Sequence, residues 1–373
     1  MSDEVSVSIS KSGIMNYKIK RYSDHIKKNE YDKFVMGVDI GGTNTTIGIG
    51  GIKELNLKLL LSLKFKTQEI DSLIPLINES NEYVKIKYEI LIDTACIGLA
   101  GVVLPSCNKV KLTNAKLTVD SNEIIKNTKL SSVHIINDFQ AIGYGLNFLD
   151  ENDKNDILIL KENKMAKDRS TKAVIGAGTG FGKCILFYDS RINGYIPIAS
   201  EGGHSDFPVY NEFERNLINF IKKEKNIENP LSYEELLSGR GIISIYEYLK
   251  DIKKYTATDY SEEIENSKDK ASVISKYRKH DKLCKETFRL FVKYCGRCAK
   301  NFALETLPMG GLYIAGGISS KNQDIFEEKD FYNEFENAYQ RKDMLKNIPI
   351  YLIVNYDVSL YGACYAAMHK ILM

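Results

Sequence analysis

Three times along this chain an apolar strand-like run breaks off into a glycine-rich turn, and this recurrence limits what it can fold into. The turns stand at Gly41-Gly42, across 176–182 and at Gly316-Gly317. The runs before them are FVMGVDI, AVI and LYIA. TTIGIG follows the first turn and CILFYD the second, so both predict hairpins. Hairpins imply mixed rather than all-parallel sheets. Similar strand-to-glycine units so far apart in sequence predict one nucleotide cleft built from two halves.

Other segments fill in the outline. YEILIDTACIGLAGVVL carries a further buried strand. Val133 to Ile136 is a short strand that stops at Asn137-Asp138, with a helix expected from Phe139 to Leu146. Phe213, Leu217, Phe220 and Ile221 mark one face of a helix over 211–225. The charged stretch 250–285 reads as helical with little core signal. A last strand at 350–354 and a helix at 362–372 close the chain. Residues 1 to about 32 are polar and read as an extension to a core that begins at Phe34.

Bulk properties exclude several classes of function. A chain of 373 residues can form one large domain or two medium ones. With 51 basic and 49 acidic side chains, nothing points to nucleic acid or an anionic membrane as a partner. No apolar run approaches the roughly 20 residues that span a bilayer. The N-terminal stretch has early acids and no apolar core, so it does not read as a secretory signal. Ile371-Leu372-Met373 is not the peroxisomal address, and a cytoplasmic location is expected. Of seven cysteines, Cys295 and Cys298 form a lone CxxC on a helical pattern, which reads as buried thiols rather than a metal or redox pair.

Five motifs could carry chemistry. In Asp39-Ile40-Gly41-Gly42-Thr43-Asn44, glycines let backbone N–H groups approach an anion, and Asp39 could hold Mg2+ directly or through water. A plain hairpin turn is the competing interpretation, and no Walker loop occurs in the chain. Gly176-Ala177-Gly178-Thr179-Gly180-Phe181-Gly182 fits a second phosphate cradle with Thr179 as hydroxyl donor; because a strand follows it rather than a helix, a dinucleotide fingerprint is disfavoured. Asn137-Asp138 at a strand end suits a general base at Asp138, but a helix N-cap, for which both residues are suited, is the favoured reading of these two residues by themselves. Glu201-Gly202-Gly203-His204 offers a carboxylate and an imidazole to sugar hydroxyls, or to a metal if more histidines stood nearby. In Ser232-Tyr233-Glu234-Glu235, Ser232 is expected to cap a helix with Glu235 at the third position, leaving Glu234 free.

Taken in order, GVDIGGTN, GLAG, KLTNAKL, IINDFQAIGYGL, GAGTGFG, EGGHSDF, SYEELLSGRG, GGLYIAGGI and NIPIYLIV resemble the bacterial-type (group A) glucokinases of the actin/hexokinase/heat-shock ATPase superfamily. The resemblance runs from about Phe34 to Ala367. It implies an α/β chain with a two-domain actin-like ATPase (ribonuclease H-like) fold, mixed sheets flanked by helices and an interdomain cleft. The implied layout is an extension at 1–33, a small domain at 34–138 completed by a helix at about 360–373, and a large domain at 139–359. The implied activity is ATP-dependent phosphorylation of D-glucose to glucose 6-phosphate at the start of glycolysis, often by a homodimer.

By the same resemblance, Asp138 matches the catalytic base, and Asn137, Asp138, Glu201, His204 and Glu234 match the positions that hold glucose. Asp39, Gly41, Gly42, Thr43 and Asn44 match the first phosphate loop, Gly178, Thr179 and Gly180 the second, and Gly316 and Gly317 the turn that accepts adenosine. Asp39 would stand in or near the Mg2+ hydration shell. Leu117 stands where relatives usually carry tryptophan, and this chain has none. The zinc-binding cysteine motif of the ROK kinases is missing, so that sister group fits less well. Rival functions are a kinase for fructose, mannose or an amino sugar, a non-catalytic sugar-responsive regulator, and an actin-like or chaperone ATPase, in which EGGH would have no purpose.

Overall fold

The computed structural model describes residues 5–8, 16–54, 56–104, 107–112, 117–163, 169–256 and 258–372. Residues 113–116 of the KLTNAKL motif lie outside them, as does part of the N-terminal stretch. The chain divides into two compact units. One is Met1–Leu149 with Arg191–Pro197 and Tyr356–Met373; the other is Asp150–Ser190 with Ile198–Asn355.

The first unit contains β1 (Val5–Ser8), β2 (Asn16–Arg21), β3 (Lys33–Ile40), β4 (Asn44–Lys53), β5 (Asn56–Lys66), β6 (Thr94–Leu99), β7 (Lys109–Lys111), β8 (Thr118–Asp120) and β9 (Ser132–Asn137). Among the described residues, seven of them form a sheet in the order β1-β2-β5-β4-β3-β6-β9, and β7 pairs with β8. The β3–β4 pair is the expected antiparallel hairpin, whereas β3, β6 and β9 run parallel. Met36, Val38, Ile47, Ile49 and Ile97 are fully buried on these strands. Burial of each such side chain stabilises by roughly 1.5–3 kcal/mol against leaving it in water. The last helix, Val358–Leu372, packs on β3, β4 and β6 and on the helix Asp138–Gly145. Leu117 is buried in this unit's core.

Part of the stretch read as an extension is a strand. In β2 the residues Tyr17 and Ile19 are buried while Lys18 and Lys20 alternate with them, a period of two. β2 pairs antiparallel with β5, and Lys20 Nζ lies 2.6 Å from Asp357 Oδ2.

The second unit is built on β10 (Ile157–Lys161), β11 (Lys172–Ala177), β12 (Phe181–Asp189), β14 (Leu312–Ala315) and β15 (Ile350–Ile353), joined by β13 (Gly194–Ser200), which belongs to this unit from Ile198 onward. Their order is β10-β15-β14-β11-β12-β13. β11 and β12 are the second expected hairpin, and β11, β14 and β15 are parallel. The helix Lys282–Thr306 crosses the core of this unit, capped by Asp281, whose carboxylate accepts the Cys284 N–H at 2.8 Å. Cys295 and Cys298 are buried on it, as the sequence predicts. Arg297 on the same helix has no exposure; it binds both Glu214 oxygens at 2.7 and 2.8 Å, Glu334 at 2.7 Å and the Pro208 carbonyl at 2.7 Å. The charged stretch forms the helices Asp259–Asn266 and Lys270–Tyr277, each with one isoleucine, Ile264 and Ile274, turned into the core.

Candidate functional site

In the first unit the parallel register sets the geometry. Ile40 pairs with Leu99, and Leu99 with Asn137, so β3, β6 and β9 end along one edge. The Gly41-Gly42-Thr43 turn and the Asn137-Asp138 pair therefore leave the sheet from strands two places apart, roughly 10 Å at the usual spacing. Loops at the carboxyl ends of parallel strands are where ligands bind in open α/β sheets.

Gly41, Gly42 and Thr43 are exposed, yet the turn is pinned from below. Gly41 N–H donates to the Asn44 carbonyl at 2.9 Å, Thr67 Oγ1 donates to the Gly41 carbonyl at 2.7 Å, and Thr67 N–H donates to the Thr43 carbonyl at 2.9 Å. Beneath it, Asp39 Oδ2 accepts the Ser359 hydroxyl at 2.7 Å. Burial pushes the Asp39 carboxyl above the usual carboxylate range; the Ser359 bond works against this and the charge of Asp357 adds to it. A sequestered carboxylate of this kind fits a cation, the partner that would restore its charged form.

Asn137 takes the N-cap position that the sequence left open to either residue. Its Oδ1 accepts the Phe139 N–H at 2.9 Å, Gln140 Oε1 accepts the Asn137 N–H at 3.3 Å, and Asn137 Nδ2 donates to the Gly101 carbonyl at 3.2 Å. Asp138 is the first helical residue, half-buried, at the positive end of the helix Asp138–Gly145. Asp138 Oδ1 accepts the same Phe139 N–H at 3.0 Å, so the two side chains share that donor.

In the second unit the other two glycine turns meet. Gly176 pairs with Ala315, so the turn after β11 and the Gly316-Gly317 turn after β14 leave adjacent parallel strands at the same end. Gly316 has φ +93°, and a Cβ there would lie 2.3 Å from the Ala177 carbonyl oxygen, so the fold itself requires glycine. Gly178 and Gly317 differ: a Cβ on either would meet nothing within 4 Å, and neither has a left-handed φ. Among the described residues nothing demands glycine at these two positions, and both backbones face open space. Thr179 is exposed in the turn between β11 and β12.

Three further residues gather beside this turn. Glu234 Oε2 accepts the Phe181 N–H at 2.9 Å, and Glu234 Oε1 accepts Arg240 Nη2 at 2.8 Å. A Cβ on Gly203 would lie 1.9 Å from the Phe181 carbonyl oxygen, so only glycine lets the EGGH turn close onto β12. The segments after it run side by side, Asp206 bridging to Ser232 and Tyr233 N–H donating to the Ser205 carbonyl at 3.0 Å. Glu201 and His204 are both exposed, with Nε2 and Oε2 3.8 Å apart. Phe181 thus joins Glu234 on one side to the Glu201–His204 turn on the other.

One expectation is corrected here. Ser232 makes no capping bond, and residues Tyr233–Glu235 form a single 3-10 turn. The helix starts at Gly239 and is capped by Ser238, which accepts the Gly241 N–H at 3.3 Å. Glu234 is not left free by a capping neighbour but is held at both oxygens. Thr67, Ser359, Gly101 and Arg240 are site neighbours that the sequence did not single out. Ser359 lies 320 positions from Asp39, and no local pattern links them.

A family model described as Glucokinase matches residues 36–370. A glucokinase of Nostoc sp. (strain PCC 7120) is 32% identical over 347 residues, covering 89% of this chain and 98% of that protein. Among solved structures, the Balamuthia mandrillaris glucokinase in complex with glucose aligns with a TM-score of 0.74 at 24% identity, covering 90% of this chain and 94% of that one. A ROK family glucokinase from Streptomyces griseus in complex with glucose and AMPPNP aligns with a TM-score of 0.61 at 18% identity, covering 90% and 99%.

Proposed function

The chain belongs to the glucokinase family, an enzyme family of the actin-like ATPase fold that phosphorylates glucose with ATP, and on that premise we propose how its residues divide the work. Asp138 accepts the proton of the sugar's 6-hydroxyl as that oxygen attacks the terminal phosphoryl group. The observation that carries this assignment is the shared edge of β3, β6 and β9, which sets Asp138 two strands from the exposed Gly41-Gly42-Thr43 turn.

Phosphoryl transfer to an alcohol needs in-line positioning, charge neutralisation and a proton acceptor, with little covalent help. The backbone N–H groups of 41–44 and 178–180, with Thr179, stabilise the equatorial oxygens. Gly316 and Gly317 accept the adenosine. Asn137 has one amide hydrogen and an Oδ1 lone pair beyond its capping bonds, enough to hold one hydroxyl. Glu201, His204 and Glu234 hold the others, and a polar set of this kind rejects sugars that leave its members unpaired. Asp39 would hold Mg2+, directly or through water, and the ion when bound would neutralise charge that develops on the phosphates.

A panel of glucose, fructose, mannose and amino sugars with coupled ADP detection tests the substrate. Glucose should give the highest kcat/KM, and a higher value for another hexose would replace it. We carry a homodimer and a cytoplasmic location as parts of the same proposal; light scattering of the purified protein tests the first. Among the described residues, no helix is long and apolar enough to cross a membrane.

A further inference from the structure

We propose that Lys20, on the N-terminal strand β2, is a positioning residue for Asp39 and acts through the first turn of the last helix. This rests on the assignment of Asp39 to the cation that accompanies ATP. β2 (Asn16–Arg21) precedes residue 36, where the match to the glucokinase family begins. Its side chains nevertheless reach the residues around Asp39. Lys20 Nζ donates to Asp357 Oδ2 at 2.6 Å. Asp357 stands immediately before the helix Val358–Leu372, and its carbonyl accepts the Tyr361 N–H at 2.9 Å, the bond that opens the helix. Two residues on, Ser359 donates its hydroxyl to Asp39 Oδ2 at 2.7 Å. One turn of helix thus joins the ammonium of Lys20 to the carboxylate of Asp39.

A second contact from the same segment meets the same turn. Tyr22, just past β2, sets its ring edge-on to Tyr361 with centroids 6.0 Å apart. Its N–H donates to the Leu60 carbonyl at 2.9 Å, so the segment is fastened to β5 where it meets the helix. Lys20 Nζ lies 4.7 Å from the centre of the Tyr22 ring, which makes the ion pair and the ring contact one cluster. The Lys20 and Asp357 side chains are 35% and 27% exposed, so the pair is partly shielded from water. Lys20 is not needed to dock the strand. Tyr17 and Ile19 do that from the opposite face, since side chains alternate along a strand.

The first turn of a helix has N–H groups without intrahelical partners and is where a helix frays. Ser359 lies in that turn, so contacts from outside the helix help to fix its hydroxyl. With the Lys20–Asp357 pair intact, Asp39 is held in one orientation beneath the Gly41-Gly42-Thr43 turn. Without the pair, the turn that carries Ser359 loosens and Asp39 loses that orientation. The link does not pass through Asn137 or Asp138, so the sugar side is spared.

Kinetics and hydrogen exchange on the full chain test this. Lys20→Met keeps the aliphatic stem and removes the charge. It should raise KM for MgATP by about two- to fivefold, the range of a partly exposed ion pair, with KM for glucose near wild type. Lys20→Arg, which keeps the charge, should restore KM for MgATP. Without ligands, amide exchange in the peptide from Asp357 to Tyr361 should quicken in Lys20→Met and not in Lys20→Arg. A lysine that serves only the strand would instead quicken exchange in β2 and β5 and leave both KM values alone. Ser359→Ala tests the route. If Lys20 acts through Ser359, adding Lys20→Met to Ser359→Ala raises KM for MgATP no further. An unchanged KM in Lys20→Met, or a full further rise on top of Ser359→Ala, overturns the inference. Asp39→Asn separates the two levels. If it impairs KM for MgATP or kcat while Lys20→Met is silent, the inference fails and the assignment of Asp39 stands; if Asp39→Asn changes neither, both fail.

Discussion

The carboxylate of Glu234 accepts the Phe181 N–H at 2.9 Å, which fastens a residue assigned to sugar onto the turn assigned to phosphate. Glu234→Ala leaves that N–H without its acceptor and Arg240 without its nearer carboxylate partner. A hydrogen bond to a charged group contributes about 1.5–3 kcal/mol, or roughly 10- to 100-fold in an equilibrium constant. Steady-state kinetics should therefore show KM rising for both glucose and ATP, by about tenfold or more each. A rise confined to glucose would mean that Glu234 does not hold the turn.

Asn137 is the N-cap of the helix that starts at Asp138, and Asp138 Oδ1 accepts the same Phe139 N–H at 3.0 Å, an acceptor that asparagine keeps. Asp138→Asn is expected to keep glucose affinity by calorimetry and to lower kcat by about 10²- to 10⁴-fold, the general-base range. Near-normal turnover would remove Asp138 from proton transfer.

How far the sequence discloses this arrangement depends on distance along the chain. The three glycine turns are legible because glycine after an apolar run is a local signal, and the hairpins at β3–β4 and β11–β12 follow from it. Asn137-Asp138 is legible as a strand end, but its division into cap and first helical residue is not, since both side chains suit a cap. The strand β2 is hidden because its alternation lasts only six residues amid polar sequence. SYEELLSG misleads because it has capping-box spacing, while the chain places Ser238, not Ser232, at the start of the helix. Ser359 on Asp39 and Arg240 on Glu234 arise from tertiary packing or side-chain choice, which periodicity does not encode.

Gly178 and Gly317 allow the nucleotide assignment to be tested apart from stability. A methyl group at either position meets nothing within 4 Å, and neither backbone is left-handed. Gly178→Ala should therefore fold as well as wild type, with a gain of up to about 1 kcal/mol from the stiffer unfolded chain. If phosphate approaches the backbone there, the added methyl blocks it, and KM for ATP should rise by about tenfold or more while KM for glucose stays near wild type. Thermal melts and two substrate titrations check both halves. An unchanged ATP KM would move the phosphate away from this turn.

Acid stability tests an ion-pair cluster on the helix Lys282–Thr306. Glu286 is held by Arg289 at 2.8 and 2.9 Å and by Lys254 at 2.8 Å, with its side chain only 11% exposed. The hydrogen bonds from Arg289 outweigh burial and bring its carboxyl down to about 2. Because the folded value lies below that of an unfolded glutamate, near 4.3, the unfolded chain binds the proton first as pH falls. The cluster's contribution is thus complete above about pH 4.5 and fades toward pH 2, a difference on the order of 2–3 kcal/mol. Glu286→Gln should be less stable than wild type in urea at pH 7, and the gap should narrow steadily between pH 5 and pH 3 by about half or more. A gap that keeps its size through that range would mean that Glu286 gains nothing from its ionised form, and that packing of its methylenes alone accounts for the loss.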